Sequence, residues 1–186
     1  MNPWLRFVSV VDRLNRGVAR LCRWLVLVML GLGVWNVVGR HLGLLVGRNL
    51  SSNSLIEAQW YAFSVLFLLG AGYTLQRQGH VRVDVVHARL SRPRRARLEV
   101  LGTVFFLIPF CLVMIAVAWN TVAFSWQLGE LSPDPGGLPR FPIKAMIPLG
   151  FLLLLLQGLA EAIRNLPACR PEVTPAAETG EGSDGP

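Results

Sequence analysis

Residues 100–129 read VLGTVFFLIPFCLVMIAVAWNTVAFSWQLG, thirty positions without one Asp, Glu, Lys or Arg. At 1.5 Å per residue a helix of that length spans about 45 Å, whereas the hydrocarbon core of a bilayer is roughly 30 Å thick. Working outward, residues 58–76 form a second uncharged run of nineteen, and 24–39 and 145–160 are each sixteen. About 20 mainly apolar residues cross the core, so the two shorter runs fall about 6 Å short. Arg20, Arg23 and Arg40 flank one of them, and Lys144 and Arg164 flank the other. Such side chains bury their stems and carry their heads outward, which covers the shortfall. The chain therefore reads as an all-α integral membrane protein. Its four transmembrane helices fall near 21–42, 56–76, 98–128 and 143–164, within a membrane domain of 21–166.

The basic residues set the expected orientation. Five arginines precede the first run, seven lie between residues 77 and 97, and Arg164 and Arg170 follow the last run. These fourteen share one side, against Arg40, Arg48, Arg140 and Lys144 on the other. The asymmetry predicts cytoplasmic termini, with external loops at 40–56 and 129–144. The net charge of +7 then reports topology and contact with anionic lipid head groups. Nucleic-acid binding would need a soluble domain with a basic face, which no segment here could form.

The N-terminal stretch, residues 1–20, reads as an amphipathic helix preceding the first span. Asn2 suits the N-cap and Pro3 the first helical position. Trp4, Phe7, Val8, Val11, Leu14 and Val18 share one face, and Arg6, Arg13, Arg16 and Arg20 the opposite one. Such a helix lies in the membrane interface, anchoring the first span or touching a partner protein. The first apolar run is too long for a signal-peptide core and is followed by Arg40 and His41 instead of a small-residue cleavage site. Cys22, Cys111 and Cys169 are odd in number with no metal-like spacing, so they read as structural thiols. Residues 167–186, rich in Pro, Gly, Ala and Glu, read as a disordered cytoplasmic tail.

Few groups invite a chemical role. Ser54 with Glu57 three residues later matches a capping box opening the second span. That accounts for a carboxylate at this depth, with ion binding as the alternative. Gly70, Ala71 and Gly72 offer a small-residue surface for close helix approach. Pro109 should kink the third span or be accommodated by its neighbours. The spans carry Asn36, Thr103, Asn120, Thr121 and Gln127 as their polar inventory, each within reach of helix-to-helix hydrogen bonding. In an extended backbone His80, Arg82 and Asp84 share one side. With no nucleophile or metal-ligand partner nearby, they read as a surface segment tied by an Arg–Asp pair instead of a relay. Residues 129–142 hold Pro133, Pro135, Pro139 and Pro142 with two adjacent glycines, a stiff non-helical connector. No catalytic, metal or cofactor site is expected. A haem between facing helices would need paired histidines inside the spans, and His41, His80 and His87 lie outside them. Four spans without a charged mid-depth site point to an accessory subunit, with a membrane anchor or assembly subunit of another complex as the alternative.

The stretch GAGYTLQRQGHVRVD, residues 70–84, resembles the second-span exit of the small, DctQ-type permease subunits of TRAP (tripartite ATP-independent periplasmic) transporters. The upstream Glu57 and the PIKAMIPLG segment at 142–150 are similar to the approach to that family's last span. The resemblance runs over most of residues 20–165 and marks Glu57, Gly79, His80, Arg82, Asp84, Pro142, Pro148 and Gly150 as structural or subunit-interface positions. It implies a scaffold in the bacterial inner membrane, packed against a large permease subunit that carries the substrate and sodium sites. A periplasmic solute-binding protein would deliver an organic acid to the assembly, and no ATP would be hydrolysed.

Overall fold

The computed structural model describes residues 3–48, 50–79 and 92–166. The His80, Arg82 and Asp84 cluster, Asn2 and the segment from 167 onward lie outside the described residues. The elements are α1 (Pro3–Val46), α2 (Asn53–Gln76), α3 (Arg92–Gly102), a π-helical turn (Thr103–Leu107), α4 (Ile108–Leu128) and α5 (Phe141–Asn165). The turn joins α3 to α4, so four helical rods are long and apolar enough to cross a membrane. Among the described residues extended pairing is confined to one antiparallel bridge, Leu131 to Pro139.

α1 is a single helix of 44 residues, with no break between the leader and the first span. No proline interrupts it after Pro3, and its glycines cost only about 1 kcal/mol each in a helix interior. Its length of about 66 Å exceeds the whole bilayer, head groups included, by roughly 20 Å. Val8 and Val11 of the leader pack on Ala160 of α5, with Leu156 and Ile163 around them. The apolar stripe is thus partly used inside the protein, while Trp4 and Leu14 remain exposed.

α5 is the central helix, packed against α1, α2, α4 and the start of the third rod. α1 flanks α2, and α4 leans on α5. The result is closer to a layer of rods than to a closed bundle. Small residues let the backbones approach. A Cβ at Gly150 would stand 2.8 Å from the Leu68 carbonyl oxygen of α2, and one at Gly158 would stand 2.6 Å from Leu107 Cδ2 in the π turn. Of the three small residues at 70–72, Gly72 makes the close approach, with a Cβ position 2.4 Å from Asn15 Oδ1, whereas Gly70 faces open space.

Pro109 is accommodated by a local change in its own rod and not by a neighbouring helix. Pro109 stands in the first turn of α4, directly after the π turn, where the Ile108 amide reaches back to the Thr103 carbonyl. That wider turn gives the ring room where an α-helical ladder would collide with it. Pro148 sits inside α5 and is buried.

The capping box does not form. Ser52 is the N-cap of α2, in extended conformation, and its hydroxyl accepts from the Leu55 amide. Ser54 donates its hydroxyl to the Gly136 carbonyl instead. The helix starts earlier than the motif implies, because the second loop supplies stronger partners for Ser54 and Glu57 than the helix end does. Glu57 therefore lies beyond the first turn, where a capping role is out of reach.

Candidate functional site

Two polar clusters stand at opposite ends of the rods. At the Glu57 end, the carboxylate is 3% exposed and is filled by the loop between α4 and α5. Ser132 donates its hydroxyl to Oε1, and the Leu138 amide donates to Oε2 at 2.5 Å. The loop is closed on itself by Ser132 N–H to Leu138 O at 3.2 Å and Arg140 N–H to Glu130 O at 2.9 Å. Tyr61 donates to the Pro139 carbonyl at 3.1 Å, and the Asn53 amide to Pro135 O at 3.3 Å. The Arg140 guanidinium lies 5.8 Å over the Trp60 ring. Gly137 must be glycine here, since a Cβ would fall 2.3 Å from Ser132 Cβ and 3.0 Å from Glu57 Oε2. The proline-rich connector is thus a folded lid pinned by a carboxylate from α2.

Glu130 completes this end. It pairs with Lys144 and accepts the Ser125 hydroxyl at 2.7 Å, just past Gly129, whose left-handed conformation ends α4. The Lys144 ammonium, and after it the Ser125 hydroxyl, hold the Glu130 carboxyl below the usual carboxylate range. The pair ties the end of α4 to the start of α5 across the lid.

At the arginine-rich end a longer network joins α1, α2 and α5. Asn15 and Gln157, both fully buried, share a hydrogen bond of 2.8 Å from Asn15 Nδ2 to Gln157 Oε1. Gln157 Nε2 donates to Asp12 Oδ1 at 3.2 Å. Asp12 also pairs with Arg164 at 2.7 Å, and Arg164 pairs with Glu161 at 2.9 Å. Gln76 and Gln78, at the end of α2, reach the Asp12 carbonyl and Glu161 at 3.4 Å each. A neutral buried hydrogen bond contributes about 1 kcal/mol, but losing one partner costs about 1–3 kcal/mol. The network therefore fixes register more than it adds stability.

The structure distributes the sequence-marked residues instead of gathering them. Glu57 anchors the lid and Pro142 opens α5 just beyond it. Deeper in α5, Pro148 is buried and Gly150 packs against Leu68 of α2. Gly79 lies past the far end of α2, donating its amide to Thr74 O at 2.9 Å as the chain turns through Gln78 at φ 53°. That left-handed turn closes the helix with the bond pattern of a Schellman cap. The polar inventory read from the sequence is corrected by Asn15 and Gln157, whose amides carry the interior network. Asn15 falls between Val11 and Val18 on the apolar face of α1, and Gln157 interrupts an apolar run. Both positions carry that signal in the sequence.

Three comparisons bear on this geometry. The family described as "Tripartite ATP-independent periplasmic transporters, DctQ component" matches residues 29–168. The ectoine TRAP transporter small permease protein TeaB of Halomonas elongata is 29% identical over 143 residues, which is 75% of this chain and 72% of that protein. The C4-dicarboxylate TRAP transporter small permease protein DctQ of Pseudomonas aeruginosa is 29% identical over 116 residues, 62% of this chain and 54% of that protein. No solved structure matches the chain.

Proposed function

The chain belongs to the DctQ component family of tripartite ATP-independent periplasmic transporters, and we propose that it is the small membrane subunit that scaffolds a large permease subunit. In this reading the assembled complex carries out sodium-coupled uptake of an organic acid delivered by a periplasmic solute-binding protein. The chain itself is a multi-pass protein of the bacterial inner membrane with both termini cytoplasmic. The observation that carries the reading is where the charges stand. Asp12, Glu161 and Arg164 lie at one end of the rods, and Glu57, Glu130 and Lys144 at the other. The runs 24–39, 58–76, 100–129 and 145–160 hold no carboxylate or basic side chain, which supports placing an ion-coupling site in another subunit.

The packing supports a partner as well. α4 leans on α5, and the third rod turns Phe105 and Phe106 of the π turn and Val113, Val117 and Trp119 of α4 outward, each more than half exposed. Such a face is at home against lipid or against the helices of a larger subunit. The segment with His80, Arg82 and Asp84 is proposed as a further contact with that subunit. The two relatives are named for different solutes, which fits a small subunit that does not select the substrate.

Reconstituted alone in liposomes under a sodium gradient, the chain is expected to move no organic acid, while co-expression with a large permease subunit yields a stable co-purifying complex. Ion-coupled uptake by the lone chain would sink the scaffold reading. Orientation is tested separately by cysteine labelling in intact cells. Arg48→Cys and Asp134→Cys are expected to react with an impermeant reagent and Ser91→Cys to be protected, and the opposite pattern reverses the topology.

A further inference from the structure

Between α1 and α2, at the arginine-rich end, lies a groove of about 1030 Å³. Its floor is apolar, formed by Val26, Leu66, Phe67 and Ala71. It exists because Ala19, Gly70 and Ala71 carry too little side chain to fill the space between the rods, and a Cβ at Gly70 would still meet nothing within 4 Å. Its rim is cationic. Arg13, Arg16, Arg20 and Arg23 line it from α1 and Arg77 from α2. At 100° per residue the four arginines of α1 fall within about 80° of one another, over roughly 15 Å of helix.

Among the described residues none of these five arginines pairs with a carboxylate. Of the described carboxylates at this end, Asp12 and Glu161 are engaged by Arg164, and Glu99 accepts from the Asn165 side chain at 3.1 Å. Arg77 rests on a neutral partner, its Nε donating to the Tyr73 hydroxyl at 3.0 Å with the guanidinium 5.6 Å from the ring centroid. Five guanidinium groups therefore stand beside a low-polarity floor with no carboxylate partner among the described residues. An occupant that satisfies both surfaces is anionic at one end and apolar along the rest.

We propose that this groove is a binding site for one anionic phospholipid, its phosphate held by Arg16 and Arg20 and their neighbours and its acyl chain laid on the floor beside Leu66 and Ala71. Guanidinium groups grip phosphate oxygens through paired N–H donors, which a zwitterionic head group would partly cancel with its own cation. Basic pockets between transmembrane helices take anionic head groups for this reason. The bound lipid would wedge α1 against α2 where their small residues leave the packing incomplete, and so set the splay of α1 on the rest of the layer. The proposal rests on α1 crossing the membrane with its arginines at head-group level. It does not depend on which side they face, so the labelling experiment above fails or succeeds independently of it.

Native mass spectrometry of the delipidated full chain, re-exposed to phosphatidylglycerol or to phosphatidylcholine of the same acyl chains, tests the site. One phosphatidylglycerol is expected to bind in clear preference. Replacing both Arg16 and Arg20 by Gln is expected to weaken it roughly thirtyfold, from about 1 kcal/mol per basic residue. Ala71→Leu, which fills the floor and leaves every charge in place, is expected to weaken it as well, with helical content by circular dichroism unchanged. Equal binding of the two lipids overturns the proposal, as does undiminished binding in both variants. Displacement of the lipid by millimolar inorganic phosphate also overturns it, because the groove would then be a free-anion site.

Discussion

Gly150→Ala is expected to destabilise the chain, whereas Gly31→Ala, the same change in another apolar run, is expected to be neutral or slightly stabilising. In both cases a methyl group replaces hydrogen in a helix interior, which by propensity alone favours the variant by about 1 kcal/mol. At Gly31 nothing lies within 4 Å of the new atom, so that preference stands. At Gly150 the methyl would sit 2.8 Å from the Leu68 carbonyl oxygen and 3.0 Å from its carbonyl carbon and Cβ. Two of those three atoms are backbone, so relief requires α2 and α5 to separate. Forcing extra atoms into a packed interior costs about 1–3 kcal/mol, and Gly150→Val belongs at or above the top of that range. Because α5 touches every other rod, its displacement from α2 spreads through the layer. Thermal unfolding of the detergent-purified chain, followed by a fluorescence size-exclusion profile, measures the contrast. Equal melting temperatures for the two alanine variants would mean that the rods do not meet at Gly150.

Glu57→Ala is expected to unpin the lid, and Glu57→Gln to leave most of it in place. The alanine removes both acceptors, freeing the Ser132 hydroxyl and the Leu138 amide at once. The glutamine can turn its carbonyl oxygen toward the Leu138 amide, which can only donate, and its NH2 toward the Ser132 hydroxyl, which can accept. Amide hydrogen exchange at Ser132, Leu138 and Arg140 reads the difference. All three donate within or from the lid, to Leu138 O, Glu57 and Glu130 O respectively, and should exchange markedly faster in Glu57→Ala alone. Gly137→Ala should imitate Glu57→Ala, since its methyl would press on Ser132 and on the carboxylate. If the glutamine variant opens the lid as fully as the alanine, the negative charge matters more than the hydrogen-bond pattern, and the ion-binding alternative for Glu57 regains ground.

The two tests differ in what the sequence discloses about them. Glu57 stands out as a carboxylate opening an apolar run, and Ser54 three residues before it offers a local explanation. The structure replaces that explanation with a loop about 80 residues away, because the lid's amide and hydroxyl donors need an acceptor and the helix end already has Ser52. Gly150 is marked by the family resemblance alone, and no local physical feature separates it from Gly31 or Gly70. All three sit in apolar helices, and only the partner backbone gives one of them its constraint. Asn15 and Gln157 lie between these extremes. Each is visible as a polar residue on an apolar face, but their bond spans 142 positions, and neither position names the other.

The sequence by itself determined four helices and the class of protein, because the exclusion of charge from hydrocarbon acts on each residue separately and needs no partner. It likewise marked the helix start at Pro3 and the end of the third span at Gly129 through preferences that are local, whereas Pro142, read as the last residue of the connector, lies in the first turn of α5. Only the tertiary structure decided that α1 runs unbroken onto α5, that the proline-rich loop folds over Glu57, and that five arginines share one groove. Those features are distances between residues far apart in the chain, set by which side chains are small enough to let backbones meet. They become fixed when the helices pack and not before.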